Sequence, residues 1–170
     1  LEVLESRYAA TGDLKAVEAD LSSIEFDAYS FSARQVPEPA SSFIQAKARG
    51  AEIDLVKGAL RLWFDAHARG RVIDDRTGYL YKGRALGSFD LSNLVNAPTP
   101  PDVAAVLAGY PYAPLVSKLL PQALATGSVF EMESSLDRWY FENLFQSLEF
   151  LDHRDRRVAE RFVGIDVDIH

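Results

Sequence analysis

The sequence predicts an all-α protein made of stacked helical repeat units, on three observations. Apolar residues recur at alternating spacings of three and four in long stretches, no run alternates convincingly enough to read as a strand, and one segment occurs twice. Residues 125–147, ATGSVFEMESSLDRWYFENLFQS, repeat in fainter form the ATGDLKAVEADLSSIEFDAYS of residues 10–30. The two copies align without a gap at an offset of 115, which places Glu133 over Glu18, Leu136 over Leu21 and Phe141 over Phe26. A chain that stacks copies of one helical unit presents a shaped surface to a partner; a chain with one unrepeated polar constellation more often does chemistry.

The elements follow in order. Leu14, Val17, Leu21, Ile24, Ala28 and Phe31 mark one face of a helix over residues 13–32, and that face is expected to be core. Pro37 and Pro39 end it, because each removes an amide donor and restrains the residue before it. Ser42 and Gln45 have the form of a capping box for a second, longer helix, whose stripe of Ile53, Val56, Leu60 and Trp63 runs to a stop at Gly70. Gly50 and Gly58 inside it each cost about 1 kcal/mol relative to alanine, so they mark a bend or a close approach by a neighbouring helix. Residues 71–98 read as a connector with short elements, including two strand-like runs and the sequence Tyr79-Leu-Tyr-Lys-Gly83. Thr99, Pro100, Pro101 and Asp102 then combine a capping hydroxyl, first-turn prolines and an acidic group for a short helix ending at Gly109. After the rigid turn Tyr110-Pro111-Tyr112, residues 115–124 give a helix that Pro121 kinks or restarts. Ser128 and Glu131 form another capping box, and Met132, Leu136, Trp139 or Tyr140, Leu144, Leu148 and Leu151 continue a stripe for about six turns. Residues 152–163 are heavily charged and read as a solvated helix before Gly164.

A second landmark extends the repeat. Ile53 and Asp54 recur as Ile165 and Asp166 at an offset of 112, so a few residues have been lost between the two landmarks, which loops tolerate at low energetic cost. The organisation expected is one continuous array: residues 1–70 form the later part of one unit and residues 71–170 most of the next. Because the sequence starts at Leu1 rather than Met and stops just after an apolar and acidic alternation, it reads as part of something longer.

Composition narrows the function. With 170 residues, 48% of them hydrophobic and 25% charged, the chain is long enough and apolar enough to bury a core. A net charge of −7 argues against a nucleic-acid partner, which needs a surplus of Lys and Arg against phosphate. The absence of cysteine removes disulfides and thiolate metal sites. The longest uncharged run, residues 103–117, is broken by Gly109, Pro111 and Pro114 and falls short of the roughly 20 apolar residues of a membrane span.

These residues carry a resemblance. The pattern of Glu133, Leu136, Asp137, Arg138, Tyr140 and Phe141, the Gly164-Ile165-Asp166 landmark, and Glu52-Ile53-Asp54 leading to Leu60-Arg61 resembles the C subunit of the archaeal and bacterial A/V-type ATP synthases, counterpart of the d subunit of the eukaryotic vacuolar ATPase. The connector is similar too, with Tyr81-Lys82-Gly83 before a short helix and Thr99 to Val103 before an aromatic turn. The chain departs from the family at Lys57, three positions after Asp54, where an Asn usually stands. The resemblance implies three related helical units forming a funnel that sits on the membrane rotor ring and receives the central shaft. It implies a non-catalytic, cofactor-free coupling protein, peripheral at the cytoplasmic face, whose partners are the shaft and ring subunits.

Chemical readings of the same residues are weaker. Asp152, His153, Asp155, Asp166, Asp168 and His170 include metal-ligand types, but their spacing matches no metal motif, so a metal-dependent hydrolase is only an alternative. His67, His153 and His170 have no serine elbow beside them, and the glycines between positions 78 and 87 lack the spacing of a phosphate-binding loop. Candidate interface residues are Trp139, from a run of three aromatics that cannot all share one helix face, and the arginines Arg61, Arg69, Arg71, Arg154 and Arg157. Any of these arginines suits an acidic partner, or simply a solvated face; the alternative to a rotary subunit is a helical scaffold for some other protein.

Overall fold

A computed structural model describes the backbone of residues 14–71, 85–86 and 89–169, together with residues 5, 6, 8, 9 and 12; side chains at several positions between 14 and 23, at 85–90 and beyond 164 lie outside the description. Among the described residues from 14 to 169, seven helices succeed one another: α1 (Leu14–Ala33), α2 (Ala40–Arg69), α3 (Leu91–Val95), α4 (Pro100–Val106), α5 (Ala113–Thr126), α6 (Phe130–Glu149) and α7 (His153–Ile169). The fold is all-α. Its extended structure among the described residues is a two-residue antiparallel pair before α3, β1 (Ala85–Leu86) with β2 (Phe89–Asp90), Leu86 opposite Phe89. The Tyr79 to Gly83 sequence lies outside the described residues.

The α2 helix is the spine. Over 30 residues it packs against α1, α3 and α6, and it buries Ile53, Val56, Leu60 and Trp63 as their spacing predicts. Trp63 lies flat against His67 with ring centroids 4.2 Å apart, and its indole N–H donates to the Ala97 carbonyl at 2.6 Å, tying α2 to the turn after α3. Gly70 ends the helix in a left-handed conformation with φ 61°, its N–H donating to Asp65. The same core takes in Leu91 and Leu94 of α3, Val103 of α4, Val116 and Leu120 of α5, and Met132, Leu136, Leu144 and Leu148 of α6.

Helix ends follow the local signals in some places and depart from them in others. Thr99 caps α4 by accepting from the Asp102 amide, as expected. The capping box at Ser42 and Gln45 does not form; the helix starts two residues earlier, and the Glu38 carboxylate accepts from the Ser42 amide at 3.2 Å and from its hydroxyl at 2.6 Å. An acidic group ahead of the first turn satisfies an orphan donor as well as a serine does. Likewise α6 begins at Phe130, with Ser128 Oγ accepting from the Phe130 amide and no capping box with Glu131. Pro121 neither restarts nor ends α5, which is one helix over 14 residues. The charged segment does form a helix, capped by Asp152, whose Oδ1 accepts from the amides of Arg154 and Asp155, but α7 continues past Gly164 to Ile169.

The largest correction concerns α1. Its stripe is core by periodicity, yet Leu21, Ile24 and Phe31 are 54%, 55% and 60% exposed, and Ala28 is exposed too. Against the core, α1 turns its opposite side, carrying Phe26 and Ala33. Periodicity shows that a face is apolar; it does not show which element covers it.

The repeat is visible in the backbone. Both α1 and α6 are 20 residues long, and each leads through a short connector into a second helix. The first connector, residues 34–39, has six residues, and the second, residues 150–152, has three. That difference of three accounts for the change of offset from 115 to 112 between the landmarks.

Candidate functional site

The seam between α2 and α6 joins the first copy of the repeat to the second. At one end Gly50 lies under Tyr140: a Cβ built at Gly50 meets the ring Cζ and Oη of Tyr140 at 2.9 Å. Only glycine permits that approach, which explains a glycine in a helix interior. Further along, Lys57 Nζ lies 2.6 Å from Asp137 and 2.9 Å from Asp54. Burial opposes the lysine's charge, but hydrogen bonds and attraction from the two carboxylates outweigh it and hold the ammonium above its ordinary pKa. At the far end Arg61 forks onto Glu133, Nε to one carboxylate oxygen and Nη2 to the other at 3.0 Å.

Beside the seam lies a buried acid. Glu52, on the buried face of α2, accepts a 2.6 Å hydrogen bond from the Tyr112 hydroxyl. Desolvation raises its carboxyl above the ordinary value, against the opposing pull of Tyr112 and Arg49, and burial next to Glu52 raises the Tyr112 phenol. Glu52 also borders a cleft of about 670 Å³ between α1, α2 and the turn before α5, with Arg34, Arg49 and Tyr110 on its walls. The sequence contains a signal for this acid: it sits beside Ile53 and four residues from both Ala48 and Val56, inside a run otherwise apolar by helical period.

The candidate interface residues are not gathered into one patch. Arg61 belongs to the seam. Arg69 and Arg71 both reach Asp65, at 2.7 and 2.9 Å, and Arg69 also lies over the Phe64 ring at 5.3 Å, so these two close off the end of α2. Trp139 is half-buried with its ring edge-on to Tyr112, centroids 5.6 Å apart, while Tyr140 takes the buried stripe. Arg154 and Arg157 stand on α7, where with His153, Val158 and Arg161 they line a shallow cavity of about 310 Å³. Asp152 is occupied as a helix cap, and among the described residues no three His, Asp or Glu side chains converge as metal ligands do.

The sequence matches the family described as "ATP synthase (C/AC39) subunit" over residues 2–170. The chain belongs to that family. Among relatives, the C subunit of the A-type ATP synthase of Methanobrevibacter smithii is 29% identical over 143 residues, which cover 84% of this chain and 36% of the relative. The corresponding protein of Methanosphaera stadtmanae, of the same name, is 29% identical over 80 residues, or 47% of this chain and 21% of the relative. The chain thus spans about a third or less of the length of the curated relatives it matches. No solved structure matches it.

In this member of the C/AC39 family, part of the pattern that carried the resemblance meets at the seam, while Thr99 to Val103 lie at α4 and the Gly164 landmark on α7. Glu133, Asp137 and Tyr140 on α6 meet Arg61, Lys57 and Gly50 on α2, and Leu136 and Leu60 lie fully buried. Lys57, the departure from the expected asparagine, takes a double ion pair within that seam.

Proposed function

We propose that this chain is part of a non-catalytic coupling subunit of a rotary A/V-type ATPase or ATP synthase, linking the central shaft to the membrane rotor ring. It works mechanically, bound at the cytoplasmic face of the membrane in a complex that moves protons or sodium ions. Family membership over residues 2–170 carries the reading. The seam supports it: torque transmission asks for stiffness, and two long helices locked by an interdigitated ring, a bidentate ion pair and a lysine held between two carboxylates resist sliding. No helix of the described residues is long and apolar enough to cross a membrane, in keeping with a peripheral position on a ring supplied by other subunits. The exposed arginines of α7, Arg154 and Arg157, are the interface residues best placed to meet an acidic partner.

Affinity purification of the tagged full-length protein from its own cells tests the reading. Shaft and ring subunits should co-purify in fixed ratio. Their absence, with unrelated proteins in their place, would overturn it in favour of a general helical scaffold.

A further inference from the structure

We propose that the cleft between α1, α2 and the turn before α5 binds a small hydroxylated organic anion, a phosphate monoester or a carboxylate, held between the guanidinium groups of Arg34 and Arg49. Its build is that of a ligand site. At about 670 Å³ it falls within the range of small-molecule pockets, and its walls combine aromatic surface with a few polar groups. Three elements converge on it. The second half of α1 brings Phe26, with Arg34 directly after the helix; α2 brings Arg49 and Glu52, three residues apart and so on one face; the turn brings Tyr110.

Charge selects the ligand. The chain carries a net charge of −7, and many of its cations find carboxylates: Lys57 takes two, and Arg61, Arg69, Arg71 and Arg156 one each. Arg34 and Arg49 differ. Both line the cleft, and neither forms an ion pair among the described residues. The carboxyl on the described walls is Glu52, whose charge burial disfavours, so two guanidinium groups dominate the field in the cleft. Guanidinium groups grip phosphate and carboxylate through paired hydrogen bonds. Glu52 adds a second requirement. It is only 6% exposed, its Oε1 is taken by the Tyr112 hydroxyl, and its Oε2 has no hydrogen-bond partner among the described residues. A hydroxyl on the ligand can serve that oxygen in either state, accepting from the protonated acid or donating to the carboxylate. Such a ligand would tie the end of α1 to α2 whatever complex the chain joins.

Equilibrium dialysis of the purified full-length protein against radiolabelled glycerol 3-phosphate, and separately against malate, tests this. At least one probe should bind saturably, and the tighter of the two tells phosphate from carboxylate. Arg34→Gln and Arg49→Gln should each weaken binding about tenfold or more, because each removes a charge-assisted contact. Lys118→Gln, the same change of charge away from the cleft, should leave it unaltered. Arg34 and Lys118 are exposed and Arg49 is half-buried, so circular dichroism should show all three variants folded. No saturable binding of either probe, an affinity that either arginine substitution leaves unchanged, or an equal loss in Lys118→Gln would each overturn the proposal. So would binding of an oligoglutamate peptide and of neither small anion, which would mark the cleft as a seat for an acidic segment of a partner protein.

Discussion

α1 and α6 are two versions of the same 20-residue helix, yet one buries its apolar stripe and the other shows it to solvent. Leu136 is completely buried and Leu21 is 54% exposed at the equivalent position. Sequence sets the face in both cases; neighbours decide its energetics. The α6 face lies between α2 and α5, whereas α1 meets α2 with its other side.

The sharpest way to separate the two copies is truncation. Leu136→Ala should cost about 2–5 kcal/mol through lost burial and the cavity left behind, seen as a lower urea midpoint. Leu21→Ala should stay within about 0.5 kcal/mol in the same titration, since its side chain already meets water. Equal losses would show that α1 is covered after all. Gly50→Val should cost about 1–3 kcal/mol by forcing the buried Tyr140 ring away, and in a double-mutant cycle with Tyr140→Ala the two losses should not add. Phe162→Val, at the counterpart position on α7, should leave the stability of the chain nearly unchanged.

A third contrast is in pH. Because the folded state raises the Glu52 carboxyl, the protonated acid stabilises the fold below the ordinary carboxylate value, and that contribution is lost as pH rises through the raised value. Glu52→Gln keeps a hydrogen-bond acceptor for Tyr112 and should flatten this decline; a difference in stability between the two proteins that is constant across the window would refute the assignment. The smallest effect belongs to the exposed edge of the seam. Glu133→Ala should cost about 0.2–1 kcal/mol, because Arg61 is largely in water, and the loss should shrink as salt is added.

Much of this was legible in the residues. The Ile53, Val56, Leu60 and Trp63 stripe, the Thr99 cap, the Gly70 stop and the close approach at Gly50 are local or periodic signals, and each has its structural counterpart. The errors arose where two local solutions compete. Glu38 replaced Ser42 and Gln45 as the cap because a carboxylate before the first turn also satisfies free amides. Of the two readings of Pro121, a kink or a restart, the restart fails: the proline stays inside α5, where packing of Leu119, Leu120 and Ala123 outweighs one lost backbone bond. Pairings across the seam, such as Lys57 with Asp137 over 80 residues of sequence, have no local signature. The acid at Glu52 was visible as a break in an apolar run, but its partner Tyr112, 60 residues away, was not.

The length of α2 has a consequence of its own. Its early turns carry Ala48 and Glu52 beside α1 and the cleft, and its later turns hold α6 through Lys57 and Arg61. Both sets are phased along one unbroken rod of 30 residues, about 45 Å long at 1.5 Å per residue. One residue inserted near Leu55 would turn the later set by about 100° relative to the earlier, so the contacts with α1 and those with α6 could not both be made. The helix is in that sense a reading frame in three dimensions: substitutions along it act locally, while any change in its count of residues is felt at both ends.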